Sequence, residues 1–191
     1  MKLYDPSLRI NLNKHNFLLD EFIFLDIEAS SLGHRSFPIE VAYASSLGDQ
    51  KSYLIKPTKY WLENGSWCSS AEFSIHKISK YMLAKHGINP VDVANSLNEA
   101  LCGKLVLCND LEYDGVWLSQ LFKAANVSVM FSLTDLRYLY EFWGENKTHS
   151  FKQNYDAISP STIHRSLPDA QRFVDAFNMT KTNTDRHKTI F

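Results

Sequence analysis

The stretch FIFLDIEASSLG, residues 22–33, decides the reading of the fold. Apolar residues run unbroken up to Asp26, Ile27 follows, and Glu28 then leads into a run of small residues. Apolar side chains at both odd and even positions predict a strand buried on both faces, and therefore central in its sheet. Strand side chains alternate, so Asp26 and Glu28 point the same way. Two close carboxylates in a partly buried site cannot both stay charged without a cation. Alternatively, Glu28 marks the strand end and faces water. D-x-E alone leaves both readings open.

Working outward, FPIEVAYASS and KSYLIKP read as two more strands, with Leu47-Gly48-Asp49 as the hairpin turn between them. A polar segment containing Trp61 and Trp67 comes next. SIHKISKYMLAKHG reads as a helix stopped by Gly87. PVDVANSLNEAL is a helix opened by Asn89 and Pro90. KLVLCN is a short buried strand. DGVWLSQLFKAAN is an amphipathic helix with Val116, Leu118, Leu121 and Phe122 available for burial. VSVMF reads as a fifth strand, LTDLRYLYEFW as a helix, and residues 145–163 as a loop or a weak helix. LPDAQRFVDAF closes the domain as a helix. Residues 1–180 are expected to form one domain and 181–191 a polar tail.

The first three strands are joined too tightly for crossovers, so they are expected to be antiparallel. The later strands alternate with helices and are expected to be parallel. The expected class is α/β: a mixed five-stranded sheet, three strands antiparallel and then two parallel, flanked by helices.

Composition narrows the partners. Lys plus Arg total 20 against 21 Asp plus Glu, a formal net charge of −1. Such a chain has no general attraction for a polyanion. Nucleic acid must then be met locally, in a small groove or through bound cations. Cys68, Cys102 and Cys108 form no C-x-x-C pair and are odd in number. They read as reduced, mostly core residues of a cytoplasmic protein. Neither a signal peptide nor a membrane span is expected.

Two further stretches bear on the carboxylates. In LVLCNDLEYDGVWL a buried strand runs into Asn109, and Asp114 stands at a helix start, where an Asp also serves as a cap. In HRSLPDAQRFVDAF, His164 stands five residues before Asp169. Ser166 and Asp169 suit a capping box, which leaves His164 without a role.

Together LDIEASSLG, CNDLEYDGVWL and HRSLPDA resemble, in order and spacing, the three motifs of the DEDDh (DnaQ-like) exonuclease family. These are D-x-E on the first strand, N-x(3–4)-D at a helix start and H-x(4)-D near the C-terminus. IEVAYA resembles the family's second strand, and SIHKISKYML its I-H-G-I segment. The resemblance covers roughly residues 21 to 178. It departs from the family where Ala29-Ser30-Ser31 follows D-x-E in place of threonines, and where Lys77 replaces the usual Gly of I-H-G-I. Asp110 competes with Asp114 as the acid of the second motif. Asp114 is preferred for its distance from Asn109.

The resemblance implies the ribonuclease H-like fold and hydrolysis of phosphodiesters from single-stranded 3′ ends. It implies two divalent ions, Mg²⁺ or Mn²⁺, held by Asp26, Glu28, Asp114 and Asp169, with His164 as general base. It places Leu32 near the terminal base. Asn109 either positions the nucleotide or stabilises a turn. Several members are homodimers, so a homodimer is an expectation too. Phe37, Trp61, Trp67 and Phe73 either stack bases or pack in the core or on the surface. Arg35, Lys147, Lys152 and Arg165 either meet phosphates or are solvated surface charges. Two alternatives stand beside this reading: a non-catalytic nucleic-acid-binding module of the same fold, and a ribonuclease H-like endonuclease. The choice between RNA and DNA stays open.

Overall fold

The computed structural model describes residues 21–188. The first 20 residues of the expected domain, and 189–191 of the expected tail, lie outside these residues.

Five strands form one sheet in the order β3-β2-β1-β4-β5. They are β1 (Ile23–Ala29), β2 (Pro38–Ser45), β3 (Gln50–Leu54), β4 (Leu105–Cys108) and β5 (Ser132–Asp135). β1 pairs antiparallel with β2, and β2 with β3. β4 runs parallel to β1, and β5 parallel to β4. The mixed sheet is thus the one the strand spacing predicts. Among the described residues seven helices flank it: α1 (Lys59–Asn64), α2 (Ser69–Ser74), α3 (Lys80–His86), α4 (Pro90–Leu101), α5 (Leu111–Ala125), α6 (Arg137–Ala157) and α7 (Ser166–Lys188). Among the described residues, no helix is long and apolar enough to cross a membrane.

β1 is central, and its two faces feed two cores. Ile23, Leu25 and Ile27 enter a core completed by Val93 and Leu97 of α4 and by Trp117, Leu118 and Leu121 of α5. Phe22 and Phe24 enter a second core with Leu139 and Phe151 of α6 and Phe173, Val174 and Phe177 of α7. There the rings stack in register: Phe22 on Phe177 at 4.4 Å between centroids, and Phe24 on Phe173 at 3.9 Å. Two strand residues advance about 6.8 Å and four helix residues about 6 Å, so the two rows keep step.

The structure differs from the sequence reading in the fifth strand, the helix before Gly87 and the end of α7, and settles residues 145–157 as helix. The fifth strand is Ser132–Asp135, not VSVMF. Residues 128–130 are instead held by Asn98 of α4, whose amide donates to the Ser128 carbonyl and accepts from the Met130 N–H, both at 2.8 Å. The helix expected over SIHKISKYMLAKHG begins only at Lys80, where Ser79 accepts from the Met82 N–H. Lys77, at φ 57, breaks any helix through the residues before it. Residues 145–157 are helical, and α6 bends at Gly144, whose φ of 73 suits glycine. α7 runs on through Lys188, into the stretch read as a tail. Of the cysteines only Cys108 is buried. Cys102 is exposed and Cys68 half-buried, so the core reading fails for those two.

Candidate active site

Asp26 and Glu28 continue the face of β1 that begins with Phe22 and Phe24. Asp169 continues the α7 row of Phe177 and Phe173 by the same four-residue step. Where rings meet rings at one end of the row, carboxylates meet carboxylates at the other. Glu28, Asp169 and His164 each bring a donor atom within 4.8 Å of the others. His164 Nδ1 lies 3.5 Å from Asp169 Oδ2, and the His164 side chain is 61% exposed.

Asp114 approaches from the opposite side of β1, buried in the first turn of α5. Asp110 caps that helix by accepting from the Glu112 N–H at 3.0 Å, and its own N–H reaches Asp114 Oδ2 at 3.4 Å. The cap and the buried acid are therefore different residues.

The carboxyls resist ionisation together. Burial pushes Asp26 well above the usual carboxylate range, and Asp114, Glu28, Asp169 and Glu40 push it further. Glu28 is pushed up to about 7 by burial, then by Asp169 and Glu40, with Arg165 opposing. Asp114 is pushed up to about 7, again first by burial. Burial also raises Asp169, against the pull of His164. Charges this close are stable only with compensation from a cation. A set of carboxylate oxygens with one imidazole suits a hard divalent ion.

Sequence reasoning missed Glu40. This β2 residue is 1% exposed and stands opposite Glu28 in the β1–β2 register. Its carboxylate accepts from Arg165 Nε at 2.9 Å, from a second Arg165 nitrogen, from the Ser166 N–H at 3.0 Å and from Ser52 Oγ at 3.2 Å. Glu40 thereby fastens the residues between His164 and Asp169 to the sheet. The available signal was a lone charge inside the apolar run FPIEVAYASS, since a buried charge requires partners. Arg165 is committed to Glu40, which corrects its reading as a phosphate contact. Ser166 does not form the expected capping box. Its Oγ accepts from the Glu28 N–H at 3.1 Å, where the register shifts between Glu28 and Ala29.

The other candidates separate by exposure. Phe37 and Trp61 are buried and stacked at 5.6 Å, so they are core residues and not base platforms. Trp67 is half-buried, and Phe73 is 78% exposed. Trp117 and Phe122 are core. Leu32 is 77% exposed on the loop after β1, and Asn109 is exposed beyond β4. Arg35 is exposed, whereas Lys147 lies over the Trp143 ring and Lys152 over the Tyr140 ring.

No protein-family model and no curated protein matches the chain. Solved structures do match. The zinc-bound form of an E. coli ExoI–ssDNA complex aligns with a TM-score of 0.64 at 16% identity, over 87% of this chain and 41% of that one. E. coli exonuclease I in complex with a dT13 oligonucleotide aligns at 0.62 with 14% identity, over 88% of this chain and 42% of that one. Exonuclease I from Methylocaldum szegediense gives 0.62 at 13%, over 85% and 40%. The chain spans about two-fifths of the length of these structures. At such identities the likeness is one of fold: the mixed five-stranded sheet and its flanking helices match those of the exonuclease I structures.

Proposed function

We propose that the chain is a metal-dependent 3′–5′ exonuclease that hydrolyses phosphodiester bonds at single-stranded nucleic-acid ends. The observation that carries this is the meeting of Glu28, Asp169 and His164 beside Asp26 and Asp114. A binding module gains nothing from gathering four carboxyls that repel one another and the substrate. That the matching exonuclease I structures hold single-stranded DNA supports the substrate class.

In this reading Asp26, Glu28, Asp114 and Asp169 would hold Mg²⁺ or Mn²⁺, two ions per site, and the bound ions would supply Lewis-acid stabilisation of developing negative charge. The chain's own residues do the rest. Asp169 holds Nδ1 of His164 and sets the ring's orientation. Nε2 then takes the proton of the attacking water and releases it to solvent, which the exposed ring reaches. Leu32 meets the terminal nucleotide, and Asn109 positions it. Residues 1–180 are proposed as the exonuclease domain. Three unpaired cysteines support a reducing compartment, proposed as the cytoplasm. A homodimer belongs to the same proposal and is checked by the mass in solution.

The test is a time course on 5′-labelled single-stranded RNA and DNA with Mg²⁺ or Mn²⁺, with EDTA and Asp26→Asn as controls. A metal-dependent ladder that shortens from the 3′ end, absent in the variant, is expected. Cleavage of a circular strand, or no cleavage of either polymer, overturns the reading.

A further inference from the structure

We infer that Lys77 and Phe73 form a nucleic-acid subsite beside the carboxylate cluster, Lys77 holding a backbone phosphate and Phe73 stacking a base of the same single strand. The inference rests on the exonuclease reading and specifies where the strand runs.

His76 and Ile78 are both buried, and His76 Nδ1 accepts from the Ile78 N–H at 3.0 Å. That bond closes a turn over Lys77 and holds it at φ 57. Among the described residues, Asn126 is the other non-glycine with positive φ. Asn126 ends α5, a place where asparagine is well tolerated. Lysine has no such tolerance, and glycine would take this conformation freely. A strained side chain is retained where it does something glycine cannot.

The Lys77 amine has no carboxylate partner among the described residues. It touches the Phe73 carbonyl and lies 4.9 Å from the centre of the Phe73 ring. Lys77 and Phe73 line an open cavity of about 510 Å³ together with Ser69, Glu72 and Ser79. Glu72 is engaged by Trp67 Nε1 at 2.7 Å, and Lys80 lies over the Trp67 ring. The cavity therefore offers a cation, an exposed ring and two hydroxyls, beside a carboxylate that is turned to the Trp67 indole. A ring that stacks any base beside a cation that holds phosphate is the chemistry of single-strand binding.

The cavity is tied to the cluster at both ends of α2. The Cys68 N–H donates to the Ser30 carbonyl at 2.8 Å, on the loop that follows Asp26 and Glu28. The Ile75 carbonyl accepts from the His164 N–H at 3.1 Å. A strand whose end lies among the carboxylates meets α2 next. Because the whole chain carries a charge of −1, such local cations must do the holding.

The experiment pairs affinity with stability. Binding of a 5′-fluorescein single-stranded oligonucleotide is followed by anisotropy in EDTA, which prevents cleavage, across a salt series. Wild type, Lys77→Gly, Lys77→Arg and Phe73→Ala are compared, each with its melting temperature. Lys77→Gly is expected to melt about 2–4 °C higher, because strain is relieved. It is also expected to bind roughly 5- to 10-fold more weakly, with the salt slope reduced by about 1. Lys77→Arg keeps the affinity, and Phe73→Ala binds about 10-fold more weakly. A Lys77→Gly protein with unchanged affinity and salt slope overturns the subsite, even if the wild type trims 3′ ends. A Lys77→Gly protein that loses affinity and stability together also overturns it. If the wild type binds and the variants weaken but the time course with Mg²⁺ or Mn²⁺ cuts no strand, the subsite stands and the exonuclease reading falls. A wild type that neither binds nor cuts removes both.

Discussion

One strand and one helix carry both halves of the molecule's character. At one end of their shared face, Phe22 and Phe24 stack on Phe177 and Phe173. At the other end, Asp26 and Glu28 face Asp169, with Asp114 behind. The geometry is continuous, and only the chemistry changes. The aromatic end stabilises the fold by itself. The acidic end opposes the fold until positive charge arrives. A rigid, strongly packed row thus holds repelling groups where they would not stay unaided, as a preorganised site requires.

The comparison breaks most dramatically at Asp26. Asp26→Asn keeps the shape and removes the charge. Hydrolysis is expected to fall by about four orders of magnitude, roughly 5–6 kcal/mol of barrier, read as initial rates on 5′-labelled strands. Breaking the other end leaves the chemistry and removes the support. Phe24→Ala is expected to cost about 3–5 kcal/mol in denaturant melts, while the fraction that remains folded still cleaves.

A pH series sharpens the contrast. Glu28 and Asp114 are pushed up to about 7, so the folded state holds protons that the unfolded state has lost. Their contribution to stability in EDTA is therefore full below the ordinary carboxyl range, falls as pH rises through about 7, and levels off above it. Glu28, raised from 4.5 to about 7, contributes about 3 kcal/mol of that fall. Melting temperatures from about pH 4 to about pH 8 check it, and a profile that rises with pH would contradict the sign. The smallest effect belongs to the junction itself. Ser166→Ala removes the acceptor of the Glu28 N–H and is expected to cost about 1 kcal/mol in the same denaturant melts.

Much of this division was legible in the sequence. The unbroken apolar run in FIFLDIEA predicts a central strand, and the alternation of strand side chains puts both carboxylates on one side. The four-residue spacing of Asp169, Phe173 and Phe177 is visible to inspection as well. What escaped were features set by partners distant in sequence. The fifth strand moved from VSVMF to Ser132–Asp135 because Asn98, about 30 residues away, takes the polar groups that a strand would use. Glu40 was visible as a charge within an apolar strand, yet its partners lie 125 and 126 residues further on. The break at Lys77 is local instead: the buried His76 ring folds back on Ile78, two residues on, and helical periodicity cannot register such a bond.

The most direct test of the account is a thermal melt at about pH 8, in EDTA and then in about 5 mM Mn²⁺, for wild type and Asp26→Asn. The account predicts that Mn²⁺ raises the wild-type melting temperature. It also predicts that the variant melts above the wild type in EDTA and gains much less from the ion. A wild type indifferent to the ion, or a variant that melts below it in EDTA, would contradict the claim that these carboxylates are gathered at a cost in order to hold a cation.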